Sequence, residues 1–150
     1  MKCTLQELKK LSNKISKRLT AGVSIYLTGN LGSGKTTFTK FLVSELFKKN
    51  KKKKPEVTSP TFNIVQYYKV NTKLIIAHYD LYRLKSTRDL NHIGLYDFED
   101  SLLSIIEWPK LIKKKNKNRI EVKFKYTKKK MKEMSKLNIL EKLKSDIFLI

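Results

Sequence analysis

The sequence predicts an α/β architecture: a central, mostly parallel β-sheet held between helices in three layers. Short β-rich apolar runs alternate with segments of helical period, as in a sheet covered on both faces. Several of these runs stop at an acid or a glycine cluster, the strand end where open α/β sheets place their ligands. With 150 residues and 40% apolar content, the chain can bury one real core, so residues 1–150 are expected to form a single domain.

Leu5, Leu8, Leu11, Ile15 and Leu19 recur at helical spacing between lysines, predicting an amphipathic helix over Thr4 to Arg18. Thr4 is a fair N-cap, with Glu7 three residues on. After the Ala21-Gly22 break, Val23 to Thr28 has the length and composition of a buried strand. A glycine loop follows directly, and from Lys35 the residues Phe38, Phe41, Leu42, Glu45 and Leu46 return to helical spacing. Lys48 to Pro55 is a nearly pure basic run and reads as a solvated surface loop. Phe62 to Tyr68 and Leu74 to Tyr79 read as two strands of a hairpin turning near Asn71-Thr72. Leu102 to Ile106 is a further core strand, and Ile120 to Tyr126 alternates like a half-exposed edge strand. The divergent basic segment 127–150 stays open. Met131, Met134, Leu137, Leu140 and Leu143 fit a helix, whereas Asn138 to Leu140 and Ile147 to Ile150 fit short strands.

The formal charge of +21 makes RNA a plausible partner, since lysines that neutralise phosphates release counterions. Arginine contributes only four of the 34 basic residues (Arg18, Arg83, Arg88, Arg119), although specific phosphate and base recognition favours its bidentate fork. The lysine excess, with many Asn and Ile residues, is better explained by AT-rich coding, so any RNA affinity is expected to be weak and nonspecific. No stretch approaches the roughly 18 apolar residues of a membrane span, and a soluble cytoplasmic protein without a membrane partner is expected. The single Cys3 excludes an internal disulfide and reads as a buried or idle thiol.

The chemistry centres on Gly29-Asn30-Leu31-Gly32-Ser33-Gly34-Lys35-Thr36, which matches the P-loop pattern. Three of the five glycines crowd into these positions, between a predicted strand and a predicted helix. Glycines let backbone N–H groups turn inward around a β-phosphate, and the helix N-terminus adds favourable partial charge. Lys35 is expected to reach the β/γ oxygens, and the Thr36 hydroxyl to ligate Mg²⁺. One lysine cannot neutralise two phosphates, so an acid at a neighbouring strand end is required. Asp80 and Glu107 both qualify, and each could equally be an ordinary strand-ending acid. Ser59-Pro60-Thr61-Phe62 supplies a hydroxyl on a constrained loop, in the chain order where nucleotide switches carry a γ-phosphate or Mg²⁺ sensor. His78 and His92 lack partners at metal spacing and read as core or surface histidines. Trp108 reads as packing. The aromatic residues at 62, 67, 68, 79 and 82 read mostly as strand-face core, any exposed ones being available to a partner. No guanine-reading Asn-Lys-x-Asp run occurs, which favours ATP.

Together, Gly29 to Thr37, Ser59-Pro60-Thr61-Phe62, His78-Tyr79-Asp80-Leu81-Tyr82-Arg83-Leu84 and Glu107-Trp108-Pro109 resemble the bacterial TsaE (YjeE) family in order and spacing, over roughly residues 4 to 126. The resemblance implies a P-loop NTPase-like fold and a small Mg²⁺-dependent ATPase with weak, partner-stimulated turnover. That family is needed for threonylcarbamoyl modification of adenosine 37 in tRNAs reading codons that begin with A, and it acts with TsaB and TsaD. Position by position, the resemblance makes Gly29 through Thr37 the phosphate cradle, with Lys35 catalytic. Thr36 and Glu107 become the Mg²⁺ ligands, Asp80 the Walker-B-like acid, Thr61 the switch threonine and Trp108 part of the site wall. The segment after Tyr126 and the run Lys48 to Lys54 depart from the family's pattern. A small-molecule kinase is disfavoured by the scarcity of arginine for a lid, and a basic RNA-binding protein with a vestigial loop by the intact Lys35, Thr36, Asp80 and Glu107.

Overall fold

The computed structural model describes residues 4–125 and the two-residue strand 142–143. Cys3, Tyr126 and the alternatives weighed for the remainder of 127–150 lie outside the described residues. The elements follow the chain as α1 (Leu5–Ser16), β1 (Ser24–Thr28), α2 (Lys35–Lys49), β2 (Val65–Lys69), β3 (Ile75–Asp80), α3 (Thr87–His92), β4 (Leu103–Glu107), a 3₁₀ turn at Pro109–Leu111, β5 (Arg119–Lys123) and β6 (Lys142–Leu143). The sheet runs in the order β2-β3-β4-β1-β5-β6. Pairings β3–β4, β4–β1 and β1–β5 are parallel, and the outer pairings β2–β3 and β5–β6 antiparallel. The expected mostly parallel α/β sheet is therefore present.

Burial explains why the inner strands read as unbroken apolar runs: every residue of β4 is buried, as are the first four of β1. Ile25, Leu27, Ile76, Leu103, Ile105, Ile120, Val122 and Phe124 share one face, beneath α1 and α2. Tyr26, Ala77, Tyr79 and Ile106 turn to the other, where Leu90 of α3, Leu95 and Ile112 form a thinner layer. Helix α1 opens with a full capping box, Thr4 Oγ1 accepting from Glu7 N at 3.2 Å. It ends two residues earlier than the sequence pattern implied, because Lys17 caps it and Arg18 N donates to Ile15 O in a tightened last turn.

Three sequence expectations are corrected. Strand β2 starts at Val65, not Phe62, because Ile64 has φ 65° and its N–H bonds Pro60 O, turning residues 62–64 away from the sheet. Strand β5 is not the edge: β6 pairs with it at Ile120↔Leu143 and Glu121↔Lys142. The basic run is not all loop, since α2 continues through Lys49. The helix then closes in a Schellman motif, with Lys51 N donating to Lys48 O and Lys52 N to Phe47 O, both at 3.0 Å. Lys51 takes the left-handed position (φ 52°) where glycine is ordinary. Beyond the cap, Lys51 to Lys54 are exposed as expected. Asn50 Oδ1 accepts from Asn71 Nδ2 at 2.8 Å, tying the end of α2 to the β2–β3 turn.

Candidate functional site

The parallel inner strands all point the same way, so β1, β3 and β4 deliver their C-terminal residues to one edge of the sheet. Asp80 and Glu107 stand in register there, and Glu107 also pairs with Leu27, just before the glycine loop. The loop closes tightly, with positive φ at Gly29 (151°), Gly32 (70°) and Gly34 (101°). A Cβ on Gly29 would lie 2.7 Å from Phe124 and Ser33, so no side chain fits there. Gly34, left-handed, launches α2 with no side-chain cap, leaving the first N–H groups of the helix to a ligand.

Lys35 is 4% exposed. Its Nζ donates to Gly29 O at 3.1 Å and Asn30 O at 3.0 Å, and stands 3.9 Å from the Trp108 ring centre. Burial pushes the ammonium below its ordinary pKa, against the upward pull of Glu107 and Asp80. Trp108 holds its place in a strained left-handed conformation (φ 58°) immediately before Pro109, and Tyr82 packs on it at 4.8 Å between ring centres.

Both acids are buried and hydrogen-bonded. Glu107 receives the Thr36 hydroxyl, 3.0 Å from Oε1 and 3.2 Å from Oε2, and His78 Nε2 lies 2.9 Å from Oε1. Asp80 Oδ2 accepts from Ser59 (2.8 Å) and Thr61 (2.7 Å), while Oδ1 accepts from Tyr82 N–H (3.1 Å). These groups line a cleft of about 260 Å³ walled by residues 31–37 with Ser59, Thr61, Asp80, Tyr82, Glu107 and Trp108.

Every site residue singled out in the sequence thus comes to the cleft or its rim. Gly29 and Asn30 contribute carbonyls to Lys35, and Leu31 stands 72% exposed at the mouth. Three contributors were not foreseen. His78 is fully buried and reaches Glu107; the signal was that it alternates with Asp80 on β3 and so shares its face. Ser59 joins Thr61 on the same oxygen of Asp80. Tyr82, read as strand-face core, is 55% exposed beside Trp108. Phe62 (86% exposed) and Tyr67 (51%) also depart from the core reading, whereas Tyr68 and Tyr79 are buried as expected. His92 is exposed at the end of α3.

The chain is 36% identical over 108 residues to the tRNA threonylcarbamoyladenosine biosynthesis protein TsaE of Rickettsia felis, a match spanning 72% of this chain and 60% of that protein. The protein of that name from Rickettsia prowazekii is 34% identical over 108 residues, 72% of each chain. The crystal structure of Bacillus subtilus YdiB superposes with a TM-score of 0.60 at 25% identity, covering 85% of this chain and 75% of that one. The family model for the threonylcarbamoyl adenosine biosynthesis protein TsaE matches residues 3–136. That span holds the glycine loop, the paired hydroxyls, Asp80 and Glu107 alike, and the chain belongs to the TsaE family.

Proposed function

We propose that this chain is a single-domain, cytoplasmic ATPase that binds ATP with Mg²⁺ in the cleft and turns it over slowly. Hydrolysis resets a TsaB–TsaD-type partner complex during threonylcarbamoyl modification of adenosine 37 in tRNAs reading codons that begin with A, and tRNA is met through that complex. The observation that carries this reading is the convergence of Lys35, Thr36, Asp80 and Glu107, from a helix and two strand ends, on one cleft under a glycine loop.

Each residue has work that its position supports. Lys35 exchanges two backbone carbonyls and an aromatic face for phosphate oxygens, and its buried, poorly solvated ammonium meets them with little further desolvation. Thr36 and Glu107 set a hydroxyl and a carboxylate 3.0 Å apart, a hard-oxygen pair that suits Mg²⁺. When bound, the metal neutralises phosphate charge. Asp80, with Ser59 and Thr61 both on Oδ2, couples the 59–61 segment to the strand end, so a ligand that draws Thr61 toward it rearranges both. Among the described residues no arginine lines the cleft, which weighs against a kinase lid. No described helix is long and apolar enough to cross a membrane.

The test is capture from source extract with ATP present, paired with phosphate release by the purified chain with and without the captured partner. Recovery of a TsaD-type protein that accelerates release supports the reading; release unaffected by TsaB and TsaD homologues sinks it.

A further inference from the structure

We propose that His78 is a positioning residue that fixes the Glu107 carboxylate for its work beside Thr36, an inference that rests on the metal-ligand reading of Glu107 above. Glu107 ends β4, His78 lies on β3 and Thr36 starts α2, and the three meet on one carboxylate, with Oε1 shared by His78 at 2.9 Å and Thr36 at 3.0 Å. The imidazole is fully buried, between Ile76 on its own strand and Ile105 in register on β4. Packing does not require histidine there. An aliphatic side chain would continue the apolar face without the cost of burying a polar ring.

That cost is met by a single partner. Among the described residues His78 Nδ1 is buried with no hydrogen bond, so the bond to Glu107 is the only hydrogen bond of the ring. Against a carboxylate acceptor, Nε2 must carry the hydrogen, an assignment made from the network. A glutamate has three side-chain torsions to settle. The His78 donor arrives from the neighbouring strand and holds the carboxylate in the orientation that faces Thr36. Hydrogen-bond partners of metal-ligating groups typically contribute 10- to 100-fold to metal affinity.

The experiment is a double-mutant cycle of His78→Leu and Glu107→Gln, following Trp108 fluorescence while Mg²⁺ is titrated with ATP present, alongside melting of the nucleotide-free chain. His78→Leu should raise the Mg²⁺ midpoint on the order of 10-fold in the parent and leave it unmoved in Glu107→Gln, because a residue that acts through Glu107 has nothing left to act on. His78→Gln, which returns an N–H donor, should recover part of the loss. If the leucine chain does not fold, His78→Phe, a ring without a donor, takes its place. An unchanged midpoint in His78→Leu, or the same shift in both backgrounds, overturns the proposal. If Glu107→Gln alone leaves the midpoint in place, the metal-ligand reading has failed and this inference goes with it.

Discussion

Asp80 and Glu107 occupy paired positions on adjacent parallel strands, each at the last residue of its strand. Two carboxylates brought this close by backbone pairing would repel if left bare. They are instead served by separate donors, Ser59, Thr61 and the Tyr82 N–H for one, Thr36 and His78 for the other. The partition predicts separable losses on mutation.

Lys35→Ala removes the one side-chain cation lining the cleft among the described residues. Hydrolysis should fall by about 10²- to 10³-fold or more, with melting close to the parent. Phosphate release and a thermal scan check both halves, and a parent-like rate excludes Lys35 from the site.

Glu107→Gln keeps volume but loses the charge a hard cation favours, and should raise the Mg²⁺ midpoint on the order of 10-fold. Glu99→Gln and Glu121→Gln are the controls. Glu121 pairs with Lys115 and Arg119, both at 2.8 Å, on the outer part of the sheet, so its loss should cost a little stability and leave Mg²⁺ alone. Identical midpoints for Glu107→Gln and the parent would leave Asp80 as the sole acid of the site.

Gly29→Ala places a methyl 2.7 Å from Phe124 and Ser33 at a φ that L-residues avoid. It should destabilise by about 2 kcal/mol or more and displace the glycine loop. Chemical denaturation measures the first effect and nucleotide binding the second; an alanine chain with parent stability contradicts the close approach.

Burial pushes the Tyr68 phenol up to about 12. The folded chain keeps that proton where the unfolded one has released it, so the contribution is complete below about pH 10 and is lost as pH rises toward 12. At neutral pH, Tyr68→Phe should cost about 1 kcal/mol through its bond to Gln66. The difference should shrink and reverse at alkaline pH, by a total on the order of 2 kcal/mol. A gap that stays constant across the alkaline range would show that Tyr68 does not drive the loss.

Any RNA affinity of the isolated chain should be lysine-driven and nonspecific, its logarithm falling steeply with log salt. Filter binding of tRNA and an unrelated RNA across a salt series decides it. Retention of tRNA preference at high salt would falsify this expectation.

What could be read without coordinates followed from local rules. Three glycines between a strand pattern and a helix pattern located the loop, and an acid ending each apolar run located Asp80 and Glu107. The two acids' shared register is different, because β4 enters between β3 and β1 from late in the chain and nothing local encodes that order. The pairing of His78 with Glu107 depends on the same insertion and was illegible for the same reason. Backbone choices were hidden too. Ile64, Lys51 and Trp108 take left-handed conformations that their side chains disfavour, so tertiary contacts overrode propensity. Phe62 was misread because aromatic composition resembles a strand whether or not a sheet receives it.

The Asn50–Asn71 contact has a mechanical meaning. Helix α2 carries Lys35 and Thr36 at its first turn, and the β2–β3 hairpin carries Asp80 at its far end, so the two arms are fastened at the end remote from the glycine loop. Fifteen helical residues make an arm of about 22 Å. The two asparagine amides thus set the spacing of helix and hairpin at the end opposite the cleft.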